Sequence, residues 1–392
     1  MKTVKGVFKM DKYIAPHKEW LEIVWNKTNE KLRKVAPRTK GVLPYTTQNG
    51  KHIPVYAKNP DGSLRTRYSW WTNGFWGGLL WLMYKATGDE IYKECAAEQE
   101  ELLDKAFGYI DGLHHDVGFM WHLTSCANYR LTQNQPSRTR ALITAALLAS
   151  RYNLKGGFIR AWNGRDSEGW TIIDTMLNLP LLYWASDETG DDRFSQIAIS
   201  HADMAAKCHV RPDGSVAHIV NHNPETGEIN EIPGQGYGVG SCWSRGQGWA
   251  IYGFALSYIH SGKKEYLDVA KNCAHYFISC VCDDYLPKAD FRAPDEPAFI
   301  DSTASAVAAC GLIEIARHVP DYEKKTYINA AISLLKVLDE HCCNYDDNED
   351  ALVLRGSHSY HNEPEREMPI IYGDFYFVEA LTKLKNIDFL IW

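Results

Sequence analysis

Residues 170–194 read WTIIDTMLNLPLLYWASDETGDDRF. An aromatic residue opens the stretch, and the carboxylate of Asp174 follows among apolar side chains. An apolar run then extends from Ile172 to Ala185 with little polar face, as in an enclosed helix. Glu188-Thr189-Gly190-Asp191 breaks the run. Gly190 suits a left-handed C-cap, Asp191 can cap the next helix, and Phe194 begins a second amphipathic segment. The stretch therefore predicts one helical hairpin with a carboxylate near its mouth.

The same grammar recurs at Trp70, Asp116, Trp243, Asp301 and Tyr372. The turns Ala86-Thr87-Gly88-Asp89 and His260-Ser261-Gly262-Lys263 repeat the break, each with an aromatic (Tyr92, Tyr266) shortly after. Gln133-Asn134-Gln135-Pro136 and Val319-Pro320-Asp321-Tyr322 replace it elsewhere. The last copy lacks its second helix, which the segment from Trp20 to Lys34 is placed to supply. Six hairpins with few strand signals predict an all-α, closed (α/α)6 barrel, six inner helices inside six outer ones. An open helical solenoid is the alternative. No linker or low-complexity stretch interrupts the pattern, so residues 1–392 are expected to form one catalytic domain. Residues 1–69 would be its N-terminal helix and loop extension.

If the inner helices run in parallel, their leading loops meet at one end of the ring. Asp116, Asp174, Arg245, Trp249, Asp301 and Asp374 would then converge on one cavity, the usual form of a small-molecule site.

The chain of 392 residues contains 13 Trp and 22 Tyr, side chains suited to stacking on sugar rings as well as to packing. Its net charge of −7 carries no basic stripe, which argues against nucleic acid or an anionic membrane as partner. The ten cysteines include neighbours such as Cys342-Cys343 and do not form a disulfide framework. Met1 to Lys12 lacks an apolar core segment, and no run reaches membrane-spanning length. The expected location is the cytoplasm, with reduced thiols. No Cys/His spacing matches a zinc site, so no metal is expected.

Asp174 is a candidate general acid, because burial raises a carboxyl pKa toward working pH. A helix cap is its simpler reading. Asp116 offers a second acid at the equivalent place of the preceding repeat, and two acids on one cavity can split their pKa values. His114 and His115 beside it are read as supporting or core residues, since adjacent positions on a helix face different ways. Arg245 and Trp249 lie four apart on one helical face, which suits an anionic sugar, although a structural Arg–Trp stack would look the same. His218 follows the turn Arg211-Pro-Asp-Gly214 on an expected extended stretch; a lone His is most often structural.

Read in order, Trp71-Thr-Asn-Gly-Phe-Trp76, His115-Asp116-Val-Gly-Phe119, Gly157-Phe-Ile-Arg-Ala-Trp162, Ile173-Asp174 through Pro180, Gln235-Gly-Tyr237, Trp243-Ser-Arg-Gly-Gln-Gly-Trp249, Asp301-Ser-Thr-Ala-Ser305 and Tyr372-Gly-Asp-Phe-Tyr376 resemble the unsaturated glucuronyl hydrolases, glycoside hydrolase family 88. The resemblance covers the chain from about residue 70 onward. It implies an (α/α)6 barrel and a hydrolase that hydrates the C4=C5 enol ether left on a terminal uronic acid by polysaccharide lyases. It makes Asp174 the general acid/base and Asp116 the second essential carboxylate. It makes His218, Gln235 and Arg245 polar substrate contacts, and Trp71, Trp162 and Trp249 aromatic walls. It implies no cofactor, and an unsaturated acidic di- or oligosaccharide as the partner.

Two departures concern specificity. Members favouring sulfated glycosaminoglycan fragments carry an Arg before Gln-Gly-Tyr and a Ser-x-x-Ser-x-Lys string near the C-terminus. Here Gly234 precedes Gln235, and the later string is Ser359-Tyr-His-Asn362-Glu-Pro364. Unsulfated substrates are therefore expected. An unsaturated rhamnogalacturonyl hydrolase, a sugar epimerase of the same barrel type and a non-catalytic glycan-binding protein are the rival readings.

Overall fold

The computed structural model describes residues 11–59, 61–223 and 225–392; most of the Met1–Lys12 segment lies outside them. Six inner helical segments surround the barrel interior, and each is followed or flanked by an outer helix. The inner ones are Phe75–Thr87, Val117–Trp121 continuing through His122–Cys126 to Ala127–Thr132, Pro180–Thr189, Ser244–Ser261, Ser302–His318 and Ile371–Leu384. The outer ones are Glu90–Leu103, Gln135–Ser150, Asp192–Cys208, Lys264–Val281, Asp321–His341 and Lys18–Val35. The last of these packs on Ile371–Leu384 and completes the sixth hairpin. Contact between Ile371–Leu384 and Phe75–Thr87 closes the ring, which excludes the open solenoid.

The turn chemistry works as the sequence predicts. Gly88, Gly190 and Gly262 adopt φ of 71°, 71° and 74° at the ends of three inner helices. Asp89 and Asp191 then accept from the backbone N–H of Ile91 and Arg193 as N-caps. Gln133 takes the left-handed cap without glycine, and Asn134 caps the next helix through Ser137 N.

Burial separates the two rings. Every residue of Ser302–Ala316 in the fifth inner helix is buried, whereas the outer helix Lys18–Val35 buries one face only. Inside the barrel, Trp392 stacks on Tyr376 at 6.1 Å and donates to Glu379 Oε2 at 3.1 Å. It fills the interior among Phe119, His122 and Tyr252.

The third hairpin departs from expectation. Ile172 is the end of a strand (Trp170–Ile172), Ile173–Leu177 is a 3-10 turn, and the α-helix begins only at Pro180. Pro180 has no N–H to give to an earlier turn and so takes the first helical position, after Leu179, which already has α-like backbone (φ −61°, ψ −32°). The strand pairs antiparallel with Ile219–His222, which pairs with Ile229–Ile232, giving a small sheet at the mouth.

Candidate active site

Asp116 and Asp174 are carried by consecutive repeats, each in a short turn at the leading end of an inner segment. Asn178 joins them. Its amide nitrogen lies 3.2 Å from Asp116 Oδ1 and 3.2 Å from the Asp174 carbonyl, and its Oδ1 accepts from Phe119 N at 2.7 Å. The amide orientation follows from the backbone donor it faces. Gly118 makes the approach possible: a Cβ there would lie 2.6 Å from Asn178 Cα.

The environments of the two acids differ in kind. Asp116 Oδ2 lies 3.3 Å from both His114 Nδ1 and His115 Nε2. Burial opposes its charge, but His115, His114 and Asn178 outweigh burial and hold its carboxyl below the ordinary carboxylate range. Asp174 Oδ1 has no hydrogen-bond partner, and the side chain caps no helix. Burial, joined by the charge of Asp116 and opposed by Arg245, pushes its carboxyl up to about 8. At neutral pH the pair is thus one ionised and one protonated acid. Side-chain exposures of 9% and 11% leave both within reach of water.

The histidines next to Asp116 are not on a helix, contrary to expectation. His114 precedes the helix in irregular backbone and His115 lies in a turn, and their rings stack at 5.4 Å, so both face the same carboxylate. His115 Nδ1 is 2.8 Å from Thr175 Oγ1, in the turn that carries Asp174. Burial takes the His115 pKa down to about 3, so it is neutral. His114, His115 and Asp116 are the one group among the described residues whose ligand-type atoms lie within 4.8 Å of one another. In the structure these imidazoles serve the carboxylate.

His218, just before the strand Ile219–His222, places Nδ1 3.8 Å from Asp174 Oδ1 and Nε2 2.8 Å from Gln235 Oε1. Gln235 Nε2 donates to the His358 carbonyl at 3.1 Å, which fixes the amide and assigns the His218 proton to Nε2. Burial, outweighing the Gln235 bond, takes His218 down to about 3.

Arg245 is almost wholly enclosed. Nη1 lies 2.5 Å from Asp301 Oδ2 and 2.5 Å from the Ser357 carbonyl, and Nη2 donates to His358 O at 3.0 Å. Its guanidinium covers Trp243 and Tyr372, at 4.9 and 5.3 Å, and not Trp249 as its helical face suggests. The local reason is the sharp entry at Trp243, whose extended backbone (ψ 116°) folds its ring back over the first turn. Trp249 is fully buried against Phe119, Tyr372 and Tyr376, beneath the site. Trp71 is half-buried and stacks on Tyr372 at 5.2 Å; Trp162 is half-buried beside Trp170. Asp301 caps its helix through Thr303 N, and Asp374 accepts from Leu352 N and Val353 N, so both are structural acids.

Three contributors have no role in the sequence reading: Asn178, the His358 carbonyl and Tyr372, whose buried hydroxyl lacks a partner and senses Arg245 and Asp174. Asn178 and Tyr372 stand inside the quoted motifs, so proximity to Asp174 and the repeat start were available signals. The His358 carbonyl had none.

Residues 46–359 match the profile of Glycosyl Hydrolase Family 88. The chain is 39% identical over 330 residues to an unsaturated glucuronyl hydrolase of Bacillus sp. (strain GL1), spanning 81% of this chain and 86% of that protein. It is 38% identical over 321 residues to an unsaturated chondroitin disaccharide hydrolase of Streptococcus pyogenes serotype M1, spanning 80% of each. The crystal structure of the unsaturated glucuronyl hydrolase of Bacillus sp. GL1, described as responsible for glycosaminoglycan degradation, superposes with a TM-score of 0.85 at 33% identity, covering 93% of this chain and 97% of that one.

Proposed function

The chain belongs to Glycosyl Hydrolase Family 88, and from that premise we propose that it releases the 4,5-unsaturated uronic acid from the non-reducing end of lyase-generated acidic oligosaccharides. The observation that carries this reading is the split pair: Asp174 raised to about 8 beside an Asp116 held low.

Protonated Asp174 gives its proton to C4 of the enol ether, and positive charge develops at C5. Ionised Asp116 stabilises that charge. The Asp174 carboxylate then takes a proton from the water that attacks C5, which restores the acid. The resulting hemiketal opens at its C5–O5 bond, leaving a ketone at C5 and a hydroxyl at C1. That carbon becomes an aldehyde as the glycosidic oxygen leaves with the rest of the sugar chain. One water is consumed.

His218 and Gln235 serve as polar contacts beside Asp174, and half-buried Trp71 and Trp162 as sugar walls. Enclosed Arg245 and Trp249 act on the site from below: Arg245 by its charge on Asp174, Trp249 by packing under Phe119. Unsulfated substrates are favoured by the absence of an Arg before Gln235 and of a Lys after Ser359. The whole chain is read as one catalytic domain. Cytoplasmic residence is supported by ten free cysteines, and among the described residues no helix is long and apolar enough to cross a membrane. A net charge of −7 without a basic stripe argues against nucleic acid as partner.

The test follows the ultraviolet absorbance of unsaturated disaccharides of chondroitin, hyaluronan, heparin and pectin type. Bleaching by the unmutated protein and its loss in Asp174→Asn, with substrate still bound, are expected. Binding without bleaching by the unmutated protein would overturn the proposal.

A further inference from the structure

The hairpin Tyr56–Lys58/Leu64–Thr66 ends on the rim of the barrel mouth, directly before Trp70 and Trp71. There three cations lie on aromatic faces. Arg65 covers Tyr109 at 4.1 Å, Lys105 covers Tyr68 at 5.3 Å, and Arg67 covers Trp70 at 4.7 Å. The two tyrosine rings stack at 6.1 Å, which makes the platform continuous. Trp70 stacks in turn on His358, whose carbonyl holds Gln235 and Arg245. The platform is therefore joined to the site just described.

None of the three cations forms an ion pair among the described residues, and only Arg65 has a side-chain hydrogen bond, a long one of 3.4 Å to its neighbour's carbonyl. The acid next to Lys105, Asp104, is already held by Arg140 at 2.6 Å. Burial and the nearby Arg65 both lower the pKa of Arg67, so the two guanidinium groups repel each other. A guanidinium lying flat on a ring keeps its edge N–H groups free, and that edge matches a carboxylate with two parallel bonds.

We propose that Arg65, Arg67 and Lys105, laid on Tyr68, Tyr109 and Trp70, form a binding shelf beyond the scissile bond for the carboxylate of the next uronic acid in the oligosaccharide. This rests on the function proposed above and adds to it that substrates longer than a disaccharide bind better. In a chain of alternating uronic acid and amino sugar, the second carboxylate stands two sugars from the reacting ring. The rings hold the cations in place, and the cations meet the anion.

The experiment compares KM and kcat on an unsulfated unsaturated disaccharide and tetrasaccharide of that repeat. It uses the unmutated protein, the triple variant Arg65→Gln/Arg67→Gln/Lys105→Gln, and Lys105→Gln alone, which disturbs only the Tyr68 face. The unmutated protein is expected to show a KM about tenfold lower for the tetrasaccharide, the effect of one good charged contact. The triple variant should lose that advantage with disaccharide turnover unchanged, and Lys105→Gln should lose part of it. An advantage that survives the triple variant, or is absent without mutation, overturns the shelf. So does equal loss on both substrates, which would make these residues supports of the site. A sulfated disaccharide gaining more than the tetrasaccharide would assign the cations to sulfate, against the proposal. Should no substrate be bleached, the functional reading fails by itself; nuclear magnetic resonance titration with a saturated tetrasaccharide, comparing unmutated and triple-variant protein, still decides the shelf.

Discussion

His218 Nδ1 and Asp174 Oδ1 face each other across 3.8 Å, and neither atom has a hydrogen-bond partner within the protein. With the His218 proton on Nε2, the lone pair of Nδ1 looks toward a carboxyl group that is protonated at neutral pH. The gap is too wide for a direct hydrogen bond. In the proposed reaction a substrate or water oxygen would have to enter beside this pair, with His218 held in place by Gln235. Gln235→Ala should release the His218 ring without removing either acid. The expected outcome is a fall in kcat of about tenfold or more, the scale of a misplaced proton-transfer partner, with KM for the disaccharide much less affected. Stopped-flow bleaching measures both.

The opposed environments of the acids set the pH profile. In the proposed mechanism turnover needs Asp174 protonated, so kcat/KM should fall as pH rises through about 8. It also needs Asp116 ionised, so the acid limb should lie below the ordinary carboxylate range. Arg245 pulls Asp174 down, and its removal must move the alkaline limb upward. Arg245→Lys, which keeps the charge, should leave the limb nearly in place, whereas Arg245→Met should shift it to higher pH. An alkaline limb indifferent to both substitutions would remove Asp174 as its source.

Stability depends on the same group with a definite sign. Folded Asp174 binds its proton up to about pH 8, while the unfolded chain releases it near 4. Between these values the folded state holds more protons, so rising pH removes stability, and below the unfolded pKa nothing is lost. Asp174→Asn abolishes this penalty. Its stability relative to the unmutated protein should climb across roughly pH 4 to 8, by at most about 1.4 kcal/mol per pH unit, and then level off, with the melting temperature following. Melting curves by calorimetry across this range test it.

Arg245 and Asp301, 1% and 0% exposed, form a buried ion pair tied to the loop at Ser357 and His358. Removing one partner strands the other charge. Asp301→Ala should cost about 3–5 kcal/mol in urea unfolding and loosen the loop that orients Gln235. The double replacement Arg245→Met/Asp301→Leu should recover much of the stability and none of the activity.

The ring was legible because each hairpin carries its own punctuation: Gly88, Gly190 and Gly262 cap inner helices where their spacing predicts. The convergence of Asp116 and Asp174 followed from repeat position alone. What the sequence hid was set by tertiary geometry. Arg245 lies on Trp243 rather than Trp249, because the ring is placed by the backbone entering the helix and not by helical periodicity. Both histidines reach Asp116, because the chain there turns before it coils. The role of the His358 carbonyl depends on a loop more than a hundred residues from Gln235, and a backbone oxygen has no signature in side-chain chemistry.

Gly118 gives the sharpest test of the link between the acids. The helix start after Asp116 passes so close to Asn178 that a Cβ on residue 118 would meet Asn178 Cα and Oδ1 at 2.6 Å and its carbonyl at 2.7 Å. Backbone atoms cannot swing aside as a long side chain can. In Gly118→Ala the two turns must therefore separate, or the Asn178 amide must let go of Asp116 and Phe119 N. Loss of the buried Phe119 bond costs about 1–3 kcal/mol by itself. Loss of the amide on Asp116 removes one of the groups holding its pKa down, so the acid limb of kcat/KM should move to higher pH. Wider spacing weakens the charge that raises Asp174, so the alkaline limb should move lower, and the pH profile narrows from both sides. Asn178→Ala, which removes the amide without forcing the turns apart, should shift the acid limb alone. A Gly118→Ala enzyme that is destabilised but keeps both limbs in place would mean that Asn178 packs the mouth without coupling the carboxyl groups.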